Sequence, residues 1–380
     1  MSRRPSTPDG RRRRALGVLG ALALGASACS SVASSSPPST TRPRPVPVDL
    51  VAYVTTVGSG SAAGTGDGLV RVDLTTRRVG APITVGTFPA AIALAAGRAY
   101  TANFESNTVS EVLLASGRVV RTLAAGSGPA GIAVDADASR AYVTDAGTTP
   151  LGTTLTPIAL GDAKRGTPIA VGAGPEGVAL TPDGREAYVA DTGAAVTGQA
   201  GAIGHSVSVV DLAAGRTVRT VAVGNAPEAL AVSPDGSVVY VANANSESVT
   251  PISTASGAPG AAIALPGPPQ AIAFTPGGTT AWVAVASRAL PLGGELVPID
   301  VATGRAGSPL PVCAGPSAVA IAPGGASAWV SCFGANELVP VTLATRKVGP
   351  PLKVPGGPYA LALTTERRVA PAPGPHKSGG

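Results

Sequence analysis

One short phrase returns seven times along the 380-residue chain, and this return constrains the fold more than any other property. Aligned on a proline, the copies read PAAIAL, PAGIAV, PEGVAL, PEALAV, PQAIAF, PSAVAI and PYALAL. They begin at Pro89, Pro129, Pro175, Pro227, Pro269, Pro316 and Pro358. Successive prolines lie 40, 46, 52, 42, 47 and 42 residues apart. A period in this range marks a repeat array, in which each copy is one supersecondary unit.

Each copy keeps one internal order. The proline-led segment enters a turn such as TPDG, SPDG, TPGG or APGG, where Pro and Gly suit a tight reversal. The next segment carries an aromatic at a fixed place: Tyr53, Tyr100, Tyr142, Tyr188, Tyr240, Trp282 and Trp329. The chain holds only six Tyr, two Trp and four Phe, so seven of its aromatics occupy this one position, as a recurring packing site requires. A third segment follows, as in SVSVVDL at 206–212, and a fourth, as in RTVRTVAVG at 216–224. Four short strands per copy predict the four-stranded antiparallel blades of a β-propeller. The proline-led strand alternates Ala or Gly with one larger apolar residue, which suits the crowded inner edge of a wedge. The fourth strand is the rim, where Arg165, Pro168, Arg305, Pro309, Lys347 and Pro350 discourage edge pairing.

The chain ends set the blade count. VAYVTTV at 51–57 is a second strand lacking a first, and PYALALT at 358–364 is a first strand lacking a second. Joined, they complete one composite blade, the first in chain order, and the six whole repeats bring the count to seven. The expected fold is therefore all-β, a seven-bladed propeller with one blade closed by both termini. Pro157, Pro251, Pro298 and Pro340 recur inside the third strand, where proline removes a ladder hydrogen bond. They predict a bulge or a shortened rim strand.

The pattern G-x-x-P-x-x-I-A-V-x-P-D-G-x-x-x-Y-V-x-N, followed by V-S-V-V-D, resembles the YVTN-type repeat of bacterial and archaeal surface proteins, including the YncE-like group. The resemblance spans about residues 50–368 and is strongest in the fourth and fifth blades. The sixth and seventh depart, with Trp for Tyr and with Val285 and Cys332 where an Asn usually stands. The resemblance implies a propeller and an exported location. It implies little about activity, because the family is largely one of binding or scaffold proteins.

The N-terminus reads as an export signal. Six arginines against Asp9 give residues 1–28 a charge of +5, so only +1 of the chain's +6 belongs to the remainder. A nucleic-acid partner is excluded on that ground. Residues 15–28 form an apolar run of 14, too short to span a bilayer, and end in Ala26-Ser27-Ala28 before Cys29. This looks like a lipoprotein signal with Ala26 in place of the usual Leu. Cys29 is the expected lipidation site, anchoring the protein to the membrane, and simple secretion after Ala28 is the other outcome. Residues 29–49 read as a Ser/Pro-rich tether, 50–368 as the propeller and 369–380 as a Pro/Gly tail.

Candidate chemistry is sparse. The long second-to-third-strand connections 58–68, 146–154, 192–205 and 286–294 open on one face, where loops on a rigid scaffold carry function. The residue after each aligned proline lies nearest the channel mouth on that face: Ala90, Ala130, Glu176, Glu228, Gln270, Ser317 and Tyr359. Glu176, Glu228, Gln270 and Tyr359 are the candidate ligand-binding residues. The Glu pair suits a cation or cationic ligand, or else accepts loop N–H bonds or faces water. Asn103, Asp145, Asp191 and Asn243 end second strands and are read as satisfying the backbone of the following loop. His205 and His376 are the only histidines, so no metal site, cofactor or catalytic residue is expected. Cys313 and Cys332 flank the first hairpin of the seventh blade and are expected to form a disulfide in an exported protein, free buried thiols being the alternative. The leading reading is a non-enzymatic, lipid-anchored extracytoplasmic protein that binds a protein or small ligand. The alternative is a lactonase-like hydrolase with a carboxylate-lined channel, since sugar lactonases share seven-bladed rings.

Overall fold

Runs of Val, Ile, Ala and aromatic residues, closed by glycine-bearing turns, become strands throughout. In the computed structural model, which describes residues 48–58, 67–147, 150–194, 202–287 and 293–367, the helical structure is one 3-10 turn at Phe333–Ala335. The signal segment, Cys29, most of the tether and the tail lie outside the described residues. The strands form seven separate antiparallel sheets. In the fourth, the order from the axis outward is Pro175–Leu180, Glu186–Gly193, Ile203–Asp211 and Arg216–Ala222. The seven proline-led strands adjoin one another in a closed round, so they are the hub.

The composite blade forms as the chain ends require. Val48–Val57 pairs with Pro358–Arg367, from Val48 opposite Arg367 to Thr56 opposite Pro358. A polar clamp fastens this closure: Glu366 accepts the Tyr53 hydroxyl at 2.6 Å and the Arg71 guanidinium at 2.6 Å.

Crowding at the hub is direct. A Cβ on Gly131 would stand 2.2 Å from the Glu176 carbonyl oxygen, and one on Gly177 would stand 2.6 Å from that of Glu228. The recurring aromatics fill the seams between blades. Tyr142 of the third blade packs on Ala187, Val189 and Val210 of the fourth, and Tyr188 packs on Val239 and Val241 of the fifth.

The third-strand prolines break only the outer ladder. Each faces the seam aromatic (Pro157 opposite Tyr142, Pro251 opposite Tyr240, Pro298 opposite Trp282, Pro340 opposite Trp329), and pairing to the second strand runs through them with no bulge. The missing N–H points at the rim, and there the fourth strand shrinks to Ile169–Ala170 and Ile263–Ala264, or splits into Arg305–Ala306 with Leu310–Pro311 and Lys347–Val348 with Leu352–Lys353. Blades without this proline keep rim strands such as Arg118–Ala124. The proline carbonyls accept N–H groups from Gly166, Gly260, Gly307 and Gly349 at 2.7 to 2.8 Å. A Cβ on any of these four glycines would come within 2.9 to 3.0 Å of the proline ring.

The second-strand ends need a correction. Asn103, Asp145, Asp191 and Asn243 bond chiefly to hydroxyls of the neighbouring third strand rather than to the backbone of the following loop. The partners are Thr108 and Ser110, Thr154 and Thr156, Ser206 and Ser208, and Ser248 and Thr250. Each clasp lies against a glycine three residues before the aligned proline. A Cβ on Gly86, Gly126, Gly172 or Gly224 would come within 2.0 to 2.7 Å of that Asn or Asp side chain. In the seventh blade the equivalent positions are Cys313 and Cys332, which form a disulfide with Cα atoms 6.0 Å apart. The same close approach that elsewhere demands glycine against a polar side chain is here bridged covalently.

Candidate functional site

The first residue after each aligned proline starts the hub strand, and Pro175 lies opposite Asp191, where the second strand gives way to a long connection. All seven such residues therefore ring one end of the channel, on the long-loop face. They line a cavity of about 500 Å³ together with Phe88, Phe104 and Glu105. That size is ordinary for a small-molecule site.

The ring is divided by chemistry. The fourth and fifth blades contribute Glu176 and Glu228. Among the described residues, neither carboxylate has a hydrogen-bond donor or a cation in contact, so the expected loop N–H partners are not found. Both side chains keep a partial opening to the channel, yet protein encloses them closely. Burial first, and then the charge of Glu228, pushes Glu176 up to about 8. Burial pushes Glu228 up to about 7. The Glu176 backbone is pinned, because its carbonyl accepts the Thr144 hydroxyl at 2.7 Å.

The seventh, first and second blades contribute an aromatic arc. Tyr359 lies between Phe88, with ring centroids 5.8 Å apart, and Phe333, at 6.4 Å. Phe104 meets Phe88 edge-on at 6.0 Å. Burial and the two glutamates raise the Tyr359 hydroxyl to about 12, so it stays a neutral donor. Phe88 sits in the left-handed region at φ 51°, where the equivalent residues Gly128, Gly174, Gly315 and Gly357 are glycines. A bulky side chain there carries strain on the order of 1 kcal/mol.

The sequence places Glu176, Glu228, Gln270 and Tyr359 on this ring, and the structure brings all four to one cavity. Gln270 points a weak amide contact of 3.4 Å at its neighbour's carbonyl, while Ser317 spends its hydroxyl on the carbonyls of Pro358 and Tyr359. Sequence reasoning missed Phe88, Phe104 and Phe333. A signal existed: of the five aromatics that are not seam residues, four gather here, and the fifth, Phe274, packs on the seam residue Tyr240. His205 is not among the lining residues, and no described Lys, Arg or His lines the cavity.

No protein-family model and no curated protein matches the sequence. Solved structures do resemble the fold. One is the periplasmic gluconolactonase of Pseudomonas aeruginosa, with TM-score 0.65 and 17% identity over 83% of this chain and 99% of that one. Another is hydrazine synthase of Kuenenia stuttgartiensis, with TM-score 0.64 and 19% identity over 75% and 97%. A third is a protein of unknown function from Desulfotomaculum acetoxidans, with TM-score 0.65 and 14% identity over 83% and 98%. At these identities the likeness carries the propeller and nothing of the chemistry.

Proposed function

We propose that this protein is an exported binding propeller, held at the membrane by a lipidated Cys29, which takes a small ligand at the mouth of its central channel. The observation that carries the reading is the convergence of all seven hub-strand starts and the leftover aromatics on one cavity. The signal-like N-terminus and the YVTN-type repeat support the location. The test is a small-molecule screen by thermal shift on the purified protein and on Ala130→Trp, which plugs the mouth. Hits that stabilise the parent and not the plugged variant support the reading. Hits that ignore the plug refute it. Mass analysis of membrane-fraction protein tests the anchor: a diacylglyceryl adduct lost in Cys29→Ser supports it, and an unmodified chain beginning at Cys29 defeats it.

A hydrolase reading has one observation in its favour: Glu228, near neutrality, has the basicity of a general base. Against it, no described lining residue is a cation or histidine able to stabilise an oxyanion. Hydrolysis of glucono-δ-lactone, followed by pH-stat, decides between them. A rate above background that disappears in Glu228→Gln replaces the binding reading.

A further inference from the structure

We infer that the ligand class of the channel mouth is a small organic cation, its ammonium held between Glu176 and Glu228 and its alkyl face laid on the arc of Phe88, Phe104 and Tyr359. This rests on the binding reading above and specifies it.

Three independent features of the cavity converge on this chemistry. The first is charge. The described titratable groups facing the cavity are Glu105, Glu176, Glu228 and the neutral Tyr359, with no described cationic side chain opposing them. Two enclosed carboxylates without a donor are unfavourable in an unliganded site, and a cationic guest relieves that. The second is the aromatic arc. Ring faces attract a cation most strongly when water is displaced, and quaternary ammonium groups are recognised in this way. Phe88 holds a left-handed position where four other blades use glycine and the fifth blade uses the small Ala226, so this ring is the one large side chain at that left-handed place. The third is denticity. A bare calcium ion takes about six to eight oxygen ligands, and phenylalanine rings supply none. Among the described residues no cluster of three or more metal-ligating side chains exists. A cation that presents methyl groups as well as charge fits the mixed wall, and a hydrated metal does not.

Proton competition follows. With both carboxyls titrating near neutrality, the site is most anionic above pH 8 and is neutralised towards pH 6. A carboxyl of pKa 7 is about nine-tenths protonated at pH 6, so affinity for the cation should fall about tenfold or more between pH 9 and pH 6.

The experiment is calorimetric titration of the purified protein with four probes: choline, its neutral isostere 3,3-dimethylbutan-1-ol, gluconate and calcium chloride. Choline should bind at pH 9, about tenfold or more tighter than the isostere, and weaken at pH 6. Glu176→Gln and Glu228→Gln should each lose about tenfold for choline while leaving the isostere unchanged. Phe88→Leu keeps an apolar wall, so a fall of about threefold or more for choline alone isolates the ring face. Equal binding of choline and its isostere, or calcium binding tighter than choline, overturns the inference. So does gluconate as the sole ligand, and in that case the binding reading survives. If all four probes and the small-molecule screen leave the channel mouth empty, both readings fall.

Discussion

Gly131 offers the sharpest test of the hub. A Cβ added there would lie 2.2 Å from the Glu176 carbonyl oxygen, more than 1 Å inside the 3.4 Å at which ordinary contact begins. It would also lie 3.0 Å from Thr144 Oγ1. That hydroxyl accepts the Gly131 N–H at 2.7 Å and donates to the Glu176 carbonyl at 2.7 Å, so the clash falls on a bonded unit. Relief requires the hub strands of the third and fourth blades to part. Overpacking of this kind costs about 1–3 kcal/mol. Loss of the buried hydrogen bond adds about 1 kcal/mol. Alanine recovers about 0.4–1 kcal/mol by stiffening the unfolded chain. Gly131→Ala should therefore lose a net of about 1–3.5 kcal/mol. Gly177→Ala, with a contact of 2.6 Å, should lose about 1–2 kcal/mol. Gly277→Ala meets no atom within 4 Å and serves as the control, gaining about 0.4–1 kcal/mol from the same stiffening with no clash to offset it. Urea unfolding with an unchanged m-value reads all three. If Gly131→Ala matches the control, crowding does not dictate small residues at the hub.

Reducing the Cys313–Cys332 bridge frees a loop of 19 residues, and the urea midpoint should fall by the equivalent of about 3 kcal/mol; identical midpoints with and without reductant would remove the bridge as a stabiliser. Glu176 and Glu228 have folded values above the ordinary 4.5, so between pH 4.5 and about 8 the folded state holds more protons than the unfolded chain. Stability therefore falls as pH rises through that window, and Glu176→Gln should gain on the order of 2 kcal/mol at pH 9 and nothing below pH 4; a loss at pH 9 would contradict the burial argument. Glu366→Ala strips the closure of its Tyr53 and Arg71 bonds and should lose about 1–2 kcal/mol, with earlier hydrogen exchange in 48–57 than elsewhere; uniform exchange would mean that the composite blade needs no clamp.

The repeat proline, the small residues beside it and the unpaired end strands determined the blade count, the hub and the closure in advance, because each is a local steric rule repeated seven times. The third-strand prolines similarly announced short rim strands, though not that the inner ladder would run straight through, since which side a missing N–H faces depends on register. Glu176, Glu228, Gln270 and Tyr359 could be placed at the mouth because they share one repeat position. The clasps between Asn103 and Ser110, or Asp191 and Ser208, were assigned to the wrong partner, because they join strands whose facing depends on pleat. Phe104 and Phe333 share one place, just past the end of the second strand, while Phe88 stands just before its aligned proline, and the three gather only when the seventh blade is brought beside the first and second. A periodic sequence encodes what every copy has in common. A site made from the exceptions exists only once the ring has closed and set those exceptions side by side.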